Sequence, residues 1–198
     1  MRPLILFAHG AGAPSASGWM SGWARRLAVV GGVVTFDYPY MRAGRKTPDR
    51  QPALIAAHRA ALADARAHRI GPGPVVLAGK SMGSRIGCHV AVEAPEDVSA
   101  LICFGYPLRG PGGGLRDAVL LALRTPILFV QGTRDPLCRL TELDAVRARM
   151  AAPSALHVAE EGDHSLVVSK KGLAARGESQ EVVDGRVLDA IRSFLATV

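Results

Sequence analysis

"PVVLAGKSMGSRIGCHVAVE", residues 74–93, decides the reading of this chain. A short apolar run ends in Gly79-Lys80-Ser81-Met82-Gly83, and a helical stretch follows at once. The pattern is G-x-S-x-G in a strand–turn–helix setting, where a serine held on a sharp turn presents its hydroxyl above the end of a sheet. Flanking side chains would collide with the neighbouring strand and helix, so the spacing calls for glycine on both sides. "GKS" also ends a phosphate-binding loop, G-x-x-x-x-G-K-[ST], but its first glycine would stand at Pro74 and its intervening residues read as a strand.

Working outward, five further runs match "PVVLA" in character: "PLILFA" (3–8), "VVTFD" (33–37), "ALICF" (100–104), "PILFVQ" (126–131) and "ALHVA" (155–159). Each is nearly continuously apolar, as strands buried on both faces of a parallel sheet are. Helices are expected over 52–69, opening with Pro52, over 141–150, with Thr141 and Asp144 in capping-box spacing, and over 180–197, with Val183, Val187, Ile191, Phe194 and Leu195 on one face. The longest irregular segments are 38–51, 105–114 and 165–179. Alternating strands and crossover helices predict a doubly wound α/β sandwich in one domain, residues 1–198.

A nucleophilic serine needs a base, and the base an orienting acid. The strand "PILFVQ" runs into "GTRDPL", which places Asp135 on the following loop, and "ALHVA" runs into "EEGDHSL", which places His164 on the next. Serine, acid and base then stand in order on three βα-type loops. His58, His68 and His89 fall in helical stretches and His157 in a strand, while Asp163 adjoins His164 too closely to serve its ring. Asp37, at the end of the second strand, is the rival acid. Of the cations near Ser81, Arg85 is expected to form an internal salt bridge with Asp37, and Lys80 either to bind an anionic substrate or to reach solvent.

The net charge of +7 comes from arginines scattered singly, not from a basic stripe with interleaved aromatics, so a nucleic-acid partner is not expected. Cys88, Cys103 and Cys138 lack CxxC spacing, which points to reduced thiols, two of them in the core, and to neither a disulfide framework nor a metal site. The chain opens directly on a strand and has no long apolar stretch, so a cytoplasmic protein without membrane contact is expected. Gly10, Gly12 and Asp37 imitate a dinucleotide fingerprint, but Ser15 stands at its third glycine and the following helix starts only near Trp19, too late to meet a pyrophosphate. No cofactor is expected.

Taken together, "HGAG" (9–12), "GKSMGSR", "GYPL" (105–108), "QGTRDPL" and "GDHSL" resemble the small α/β-hydrolase group that includes dienelactone-hydrolase-like proteins. The closer resemblance is to the domain shared by a testis-expressed protein and a subunit of the non-specific-lethal complex. The resemblance implies a minimal α/β-hydrolase fold of about six mainly parallel strands with helices on both faces. About twenty residues separate "ALICF" from "PILFVQ", which leaves no room for a lid. It implies Ser81 as nucleophile, Asp135 as acid and His164 as base, with the backbone N–H groups of Ala11 and Met82 as oxyanion hole. Gly10 would let the chain turn so that Ala11 faces Ser81, and His9 would be structural. Gly10, Gly12, Tyr38, Tyr40, Lys80, Tyr106 and Pro107 would line the cleft. Dienelactone hydrolases carry a cysteine nucleophile, so Ser81 points away from that reaction.

The expected function is hydrolysis of a small-molecule ester or related acyl compound through an acyl-enzyme, in a monomer or homodimer. The alternative is a non-catalytic interaction module that retains the fold.

Overall fold

Six strands form one parallel sheet in the order β2-β1-β3-β4-β5-β6. The structure is a computed structural model, and it describes residues 2–68, 72–110 and 112–198. The strands are β1 (Leu4–Ala8), β2 (Gly32–Phe36), β3 (Val75–Lys80), β4 (Ala100–Phe104), β5 (Ile127–Gly132) and β6 (Ser154–Ala159). The helices are α1 (Gly18–Leu27), α2 (Pro39–Arg42), α3 (Gln51–Ala67), α4 (Met82–Glu93), α5 (Ala118–Ala122), α6 (Leu140–Arg147), α7 (Lys170–Arg176) and α8 (Gln180–Leu195).

Side chains of successive strand residues point to opposite faces, so every central strand divides its apolar residues between two cores. Leu4 and Leu6 of β1, Leu77 of β3 and Phe129 of β5 join Leu54, Leu62, Ile86, Leu120 and Leu143 under α3, α4, α5 and α6. Ile5, Phe7, Ala78, Ile102 and Val130 join Met20, Trp23, Val187 and Ile191 under α1 and α8 on the other face. The central strands β1, β3, β4 and β5 are buried throughout, as their apolar runs require. The outer strands differ from the expectation: β2 and β6 have one unpaired edge each and are only partly buried, apolar though they read.

Two local expectations also need correction. Helix α6 begins after Arg139, which makes no side-chain cap, so Thr141 and Asp144 form no capping box; Glu142 is instead held by Arg109. The irregular segments 38–51 and 165–179 contain α2 and α7, the latter started by Ser169, whose hydroxyl accepts from Gly172 N–H and which ends on left-handed Gly177. The last residue of the helix expected over 52–69 and one residue of the segment 105–114 lie outside the described residues. All three cysteines are buried, Cys88 and Cys103 with sulfurs 3.9 Å apart, and all are free.

Strand β1 lies between β2 and β3, so the chain leaves it in one direction and later returns on its other side. Loops at such a reversal diverge at the carboxyl ends of the strands and open a crevice. The loop after β1 and the turn after β3 meet there.

Candidate active site

Ser81 is the residue between β3 and α4, with φ of 51° and ψ of −113°. A left-handed φ at a non-glycine residue costs on the order of 1–3 kcal/mol, and the surrounding backbone enforces it here. The Ser81 N–H donates to the Phe104 carbonyl at 2.9 Å, and its own carbonyl accepts from Ser84 Oγ at 2.6 Å and from Arg85 N–H at 3.2 Å. A Cβ on Gly83 would lie 2.5 Å from the Ala8 carbonyl oxygen and 2.7 Å from that of His9, while one on Gly79 would strike the backbone of Gly83 and Ser84. The two glycines therefore let α4 start against the end of β1, which is what turns Ser81 into the crevice.

The three residues picked from separate loops converge. His164 Nε2 stands 2.8 Å from Ser81 Oγ, and His164 Nδ1 stands 2.7 Å from Asp135 Oδ2. A carboxylate only accepts, so Nδ1 carries the imidazole proton and Nε2 is free to accept from the serine hydroxyl. The Asp135 side chain is fully buried. Its Oδ1 accepts from Leu137 N–H at 2.8 Å, and its Oδ2 also accepts from the amide of Gln131. Gln131 in turn accepts from Tyr106 N–H at 3.0 Å, so the loop after β4 and the acid share one buried amide.

Asp37 stands apart from this relay. Its Oδ1 accepts from Ser15 N–H at 2.7 Å and lies 3.7 Å from His9 Nε2. Asp163 shapes the loop of His164, accepting from Ser165 N–H at 2.7 Å and Val167 N–H at 3.0 Å. His58, His68, His89 and His157 remain on α3, at its end, on α4 and on β6.

The loop after β1 is braced from beneath. His9 is fully buried; its Nε2 accepts from Tyr38 N–H at 3.1 Å, so its Nδ1 is the donor to the Gly10 carbonyl at 2.6 Å. Burial holds His9 below the usual imidazole range, which favours this neutral tautomer, although Asp37 opposes the shift. The Tyr40 hydroxyl donates to the Ala11 carbonyl at 3.0 Å. That carbonyl is engaged by Tyr40 and no acceptor engages the N–H of Ala11 or of Met82 among the described residues, so both amides are free on the cavity wall they share with Ser81. Gly10 needs no left-handed backbone, and a Cβ there would make ordinary contacts with Lys80 and Ser81. The bend thus comes from the side chains of His9 and Tyr40, contrary to the expectation that glycine freedom makes it.

The tyrosines expected in the cleft are not there. Tyr38, Tyr40 and Tyr106 are all fully buried. Their rings pack in the core while their hydroxyls reach His58 Nδ1 at 3.0 Å, the Ala11 carbonyl and the Arg116 carbonyl at 3.0 Å respectively. An aromatic ring with one polar end is stabilised in a core when that end finds a partner, and each of these does.

Two cavities flank Ser81. One, of about 280 Å³, is mostly apolar and runs from Gly10, Ala11 and Gly12 past Trp19 and Met20 to His164. Lys80 borders it, its ammonium 5.4 Å from the centre of the Trp19 ring and bonded to the His164 carbonyl. Burial lowers the Lys80 pKa to about 8, against the opposing pull of Asp135 and Asp163. Lys80 therefore buttresses the His164 loop and does not extend into solvent. The other cavity, of about 380 Å³, is lined by Ala11, Ser81, Met82, Arg85, Pro107 and Arg116 among others. The salt bridge expected between Arg85 and Asp37 does not form; Arg85 Nη1 donates instead to Gln51 Oε1 at 2.6 Å.

Sequence reasoning missed Gln131 and the second cavity. The polar residue at the end of the otherwise apolar "ILFVQ" was a readable sign that something at the carboxyl end of β5 needed an amide. Arg116, thirty-one residues beyond Arg85 on the loop before α5, carried no local signal.

Solved structures share this architecture. An alpha-beta serine hydrolase homologue from Coxiella burnetii superposes with a TM-score of 0.70 at 19% identity, over 94% of this chain and 83% of its own. Dienelactone hydrolase from Anabaena variabilis gives 0.67 at 21% identity, over 92% and 84%. Est1E from Butyrivibrio proteoclasticus gives 0.71 at 14% identity, over 98% and 89%. The family description "alpha/beta hydrolase domain" matches residues 1–196, almost the entire chain. With the parallel sheet, the strained serine turn and the loops that meet above it, the match establishes that this chain belongs to the alpha/beta hydrolase domain family.

Proposed function

We propose that the protein is a serine hydrolase of carboxylic esters or related acyl compounds, working through an acyl-enzyme on Ser81. The observation that carries the reading is the unbroken relay from Ser81 Oγ through His164 to Asp135, at 2.8 and 2.7 Å, on a serine whose φ is 51°. Similarity to a structure described as an alpha-beta serine hydrolase homologue and to a dienelactone hydrolase agrees with it.

In this reading Ser81 Oγ attacks the substrate carbonyl carbon as its proton passes to His164 Nε2. Asp135 keeps the imidazole in the right tautomer and stabilises the imidazolium. The carbonyl oxygen, now an oxyanion, accepts from the N–H groups of Ala11 and Met82. Collapse breaks the bond to the alcohol oxygen, which takes the proton from His164 and leaves an ester on Ser81. Water then attacks that ester, gives its proton to His164, and the acid departs as Oγ recovers the proton.

The test is turnover of p-nitrophenyl acetate by the wild type and by Ser81→Ala, together with labelling by a fluorophosphonate. Loss on the order of 10³ or more in rate, with labelling of Ser81 alone, is expected. Equal rates in the two proteins would sink the assignment. A folded wild type that neither turns over ester nor labels would instead be the non-catalytic module.

A further inference from the structure

The cavity on the Met82 side of Ser81 carries two arginines that no carboxylate among the described residues neutralises. Arg85 stands one turn into α4, and Arg116 lies on the loop before α5, yet both line the same 380 Å³ space as Ser81 and Met82. Neither belongs to an ion pair among the described residues. Arg85 has only neutral neighbours as partners, Gln51 at 2.6 Å and His89 Nε2 at 3.5 Å, and its Nε is buried without a hydrogen-bond partner. The carboxylate on that wall, Asp49, is already engaged by Arg45 at 2.6 Å and by Tyr40 N–H at 3.1 Å.

Two guanidinium groups facing one half-enclosed space disfavour each other, and burial adds to the cost for Arg85. An anion held between them relieves both, and a carboxylate matches the planar fork of arginine.

The catalytic geometry says which part of a substrate would bring it. His164 borders the opposite cavity, with Trp19 and Met20, and the leaving oxygen has to receive its proton from His164 Nε2. The alcohol therefore departs on the Trp19 side, and the acyl chain extends on the Met82 side toward the arginines.

We propose that the substrates are hemi-esters of short dicarboxylic acids, bound with the free carboxylate between Arg85 and Arg116 and a small uncharged alcohol against Trp19. The proposal rests on the esterase reading of Ser81 and specifies its substrate class.

The experiment compares two esters of matched length, monomethyl glutarate and methyl pentanoate, by titrating released acid near neutral pH. Hydrogen bonds to charged groups predict that wild-type kcat/KM favours the hemi-ester about tenfold or more. Arg116→Met and Arg85→Met each move the ratio of the two kcat/KM values toward one, and Arg116→Lys restores part of it. Arg116 is half-exposed on a loop, so its variants carry the test if Arg85→Met fails to fold. A wild-type ratio of one or less, or a ratio unchanged by both methionine variants, overturns the proposal. So does hydrolysis of neither methyl ester by an enzyme that still cleaves p-nitrophenyl acetate in a Ser81-dependent way. Failure of the esterase reading looks different, since p-nitrophenyl acetate is then turned over equally by wild type and Ser81→Ala.

Discussion

The hydroxyl of Tyr40 donates to the carbonyl oxygen of Ala11 at 3.0 Å, although the two residues are twenty-nine apart in the chain. The bond holds one peptide of the loop after β1, and in the proposed mechanism the N–H of Ala11 is the group offered to an oxyanion beside Ser81. Tyr40→Phe keeps the buried ring and removes only this bond. A loss of about 1 kcal/mol in stability is expected for a single neutral hydrogen bond. In ester hydrolysis kcat should fall several-fold while KM changes little, because an oxyanion donor acts on the transition state. Steady-state kinetics beside a urea melt measures both, and a change in KM alone would show that Tyr40 shapes the cleft without aiming the amide.

Gly83→Ala should be far more damaging than its size suggests. The added Cβ meets the carbonyl oxygens of Ala8 at 2.5 Å and His9 at 2.7 Å, and both belong to backbone that cannot rotate away. Overpacking of this kind costs about 1–3 kcal/mol or more. The relief available is displacement of α4 from β1, which separates Ser81 from the Ala11 loop, so ester turnover should fall even at temperatures where the protein stays folded. Chemical denaturation and residual activity of the purified variant check the two halves separately; full activity would contradict the close approach.

Lys80 makes stability depend on alkaline pH. Its folded pKa of about 8 lies below the ordinary lysine value of 10.5, because burial penalises the ammonium. Between those values the unfolded chain holds the extra proton, so stability rises with pH across that window. The cost of the buried charge is fully present below about pH 8 and is relieved as the group deprotonates, by up to about 3 kcal/mol. Buried Tyr40 and Cys138, both pushed up to about 12, act in the opposite direction as pH climbs above their ordinary values. The comparison is therefore between wild type and Lys80→Met in urea at roughly pH 8, 9 and 10, all within that window. The wild type should gain relative to the variant as pH rises, and parallel pH profiles would show that the amine is not held neutral at high pH.

Much of this protein is legible in its residues. The central strands announce themselves because burial on both faces demands continuous apolar side chains, and "GKSMG" announces its turn because two backbones pass too closely there for a Cβ. The order of Ser81, Asp135 and His164 along the chain follows from strands whose loops open at one end of the sheet. Edge strands β2 and β6 were harder, since an apolar sequence does not say whether a strand has neighbours on both sides.

Position around the site was decided by tertiary structure alone. The family resemblance puts Tyr38, Tyr40 and Tyr106 in the cleft, yet whether a ring faces the crevice or the core depends on the helices packed over it and on where its hydroxyl finds an acceptor. Gln131 links Tyr106 to Asp135, and Arg85 meets Arg116, only because separate loops return to the same end of the sheet. The sequence by itself determined the parallel sheet, the serine turn and the three residues of the relay, since each leaves a local pattern of apolar runs, glycines or loop positions. What braces that relay and what charge faces it are contacts between residues far apart in the chain, and such contacts exist only once β1, β3, β4 and β5 lie side by side.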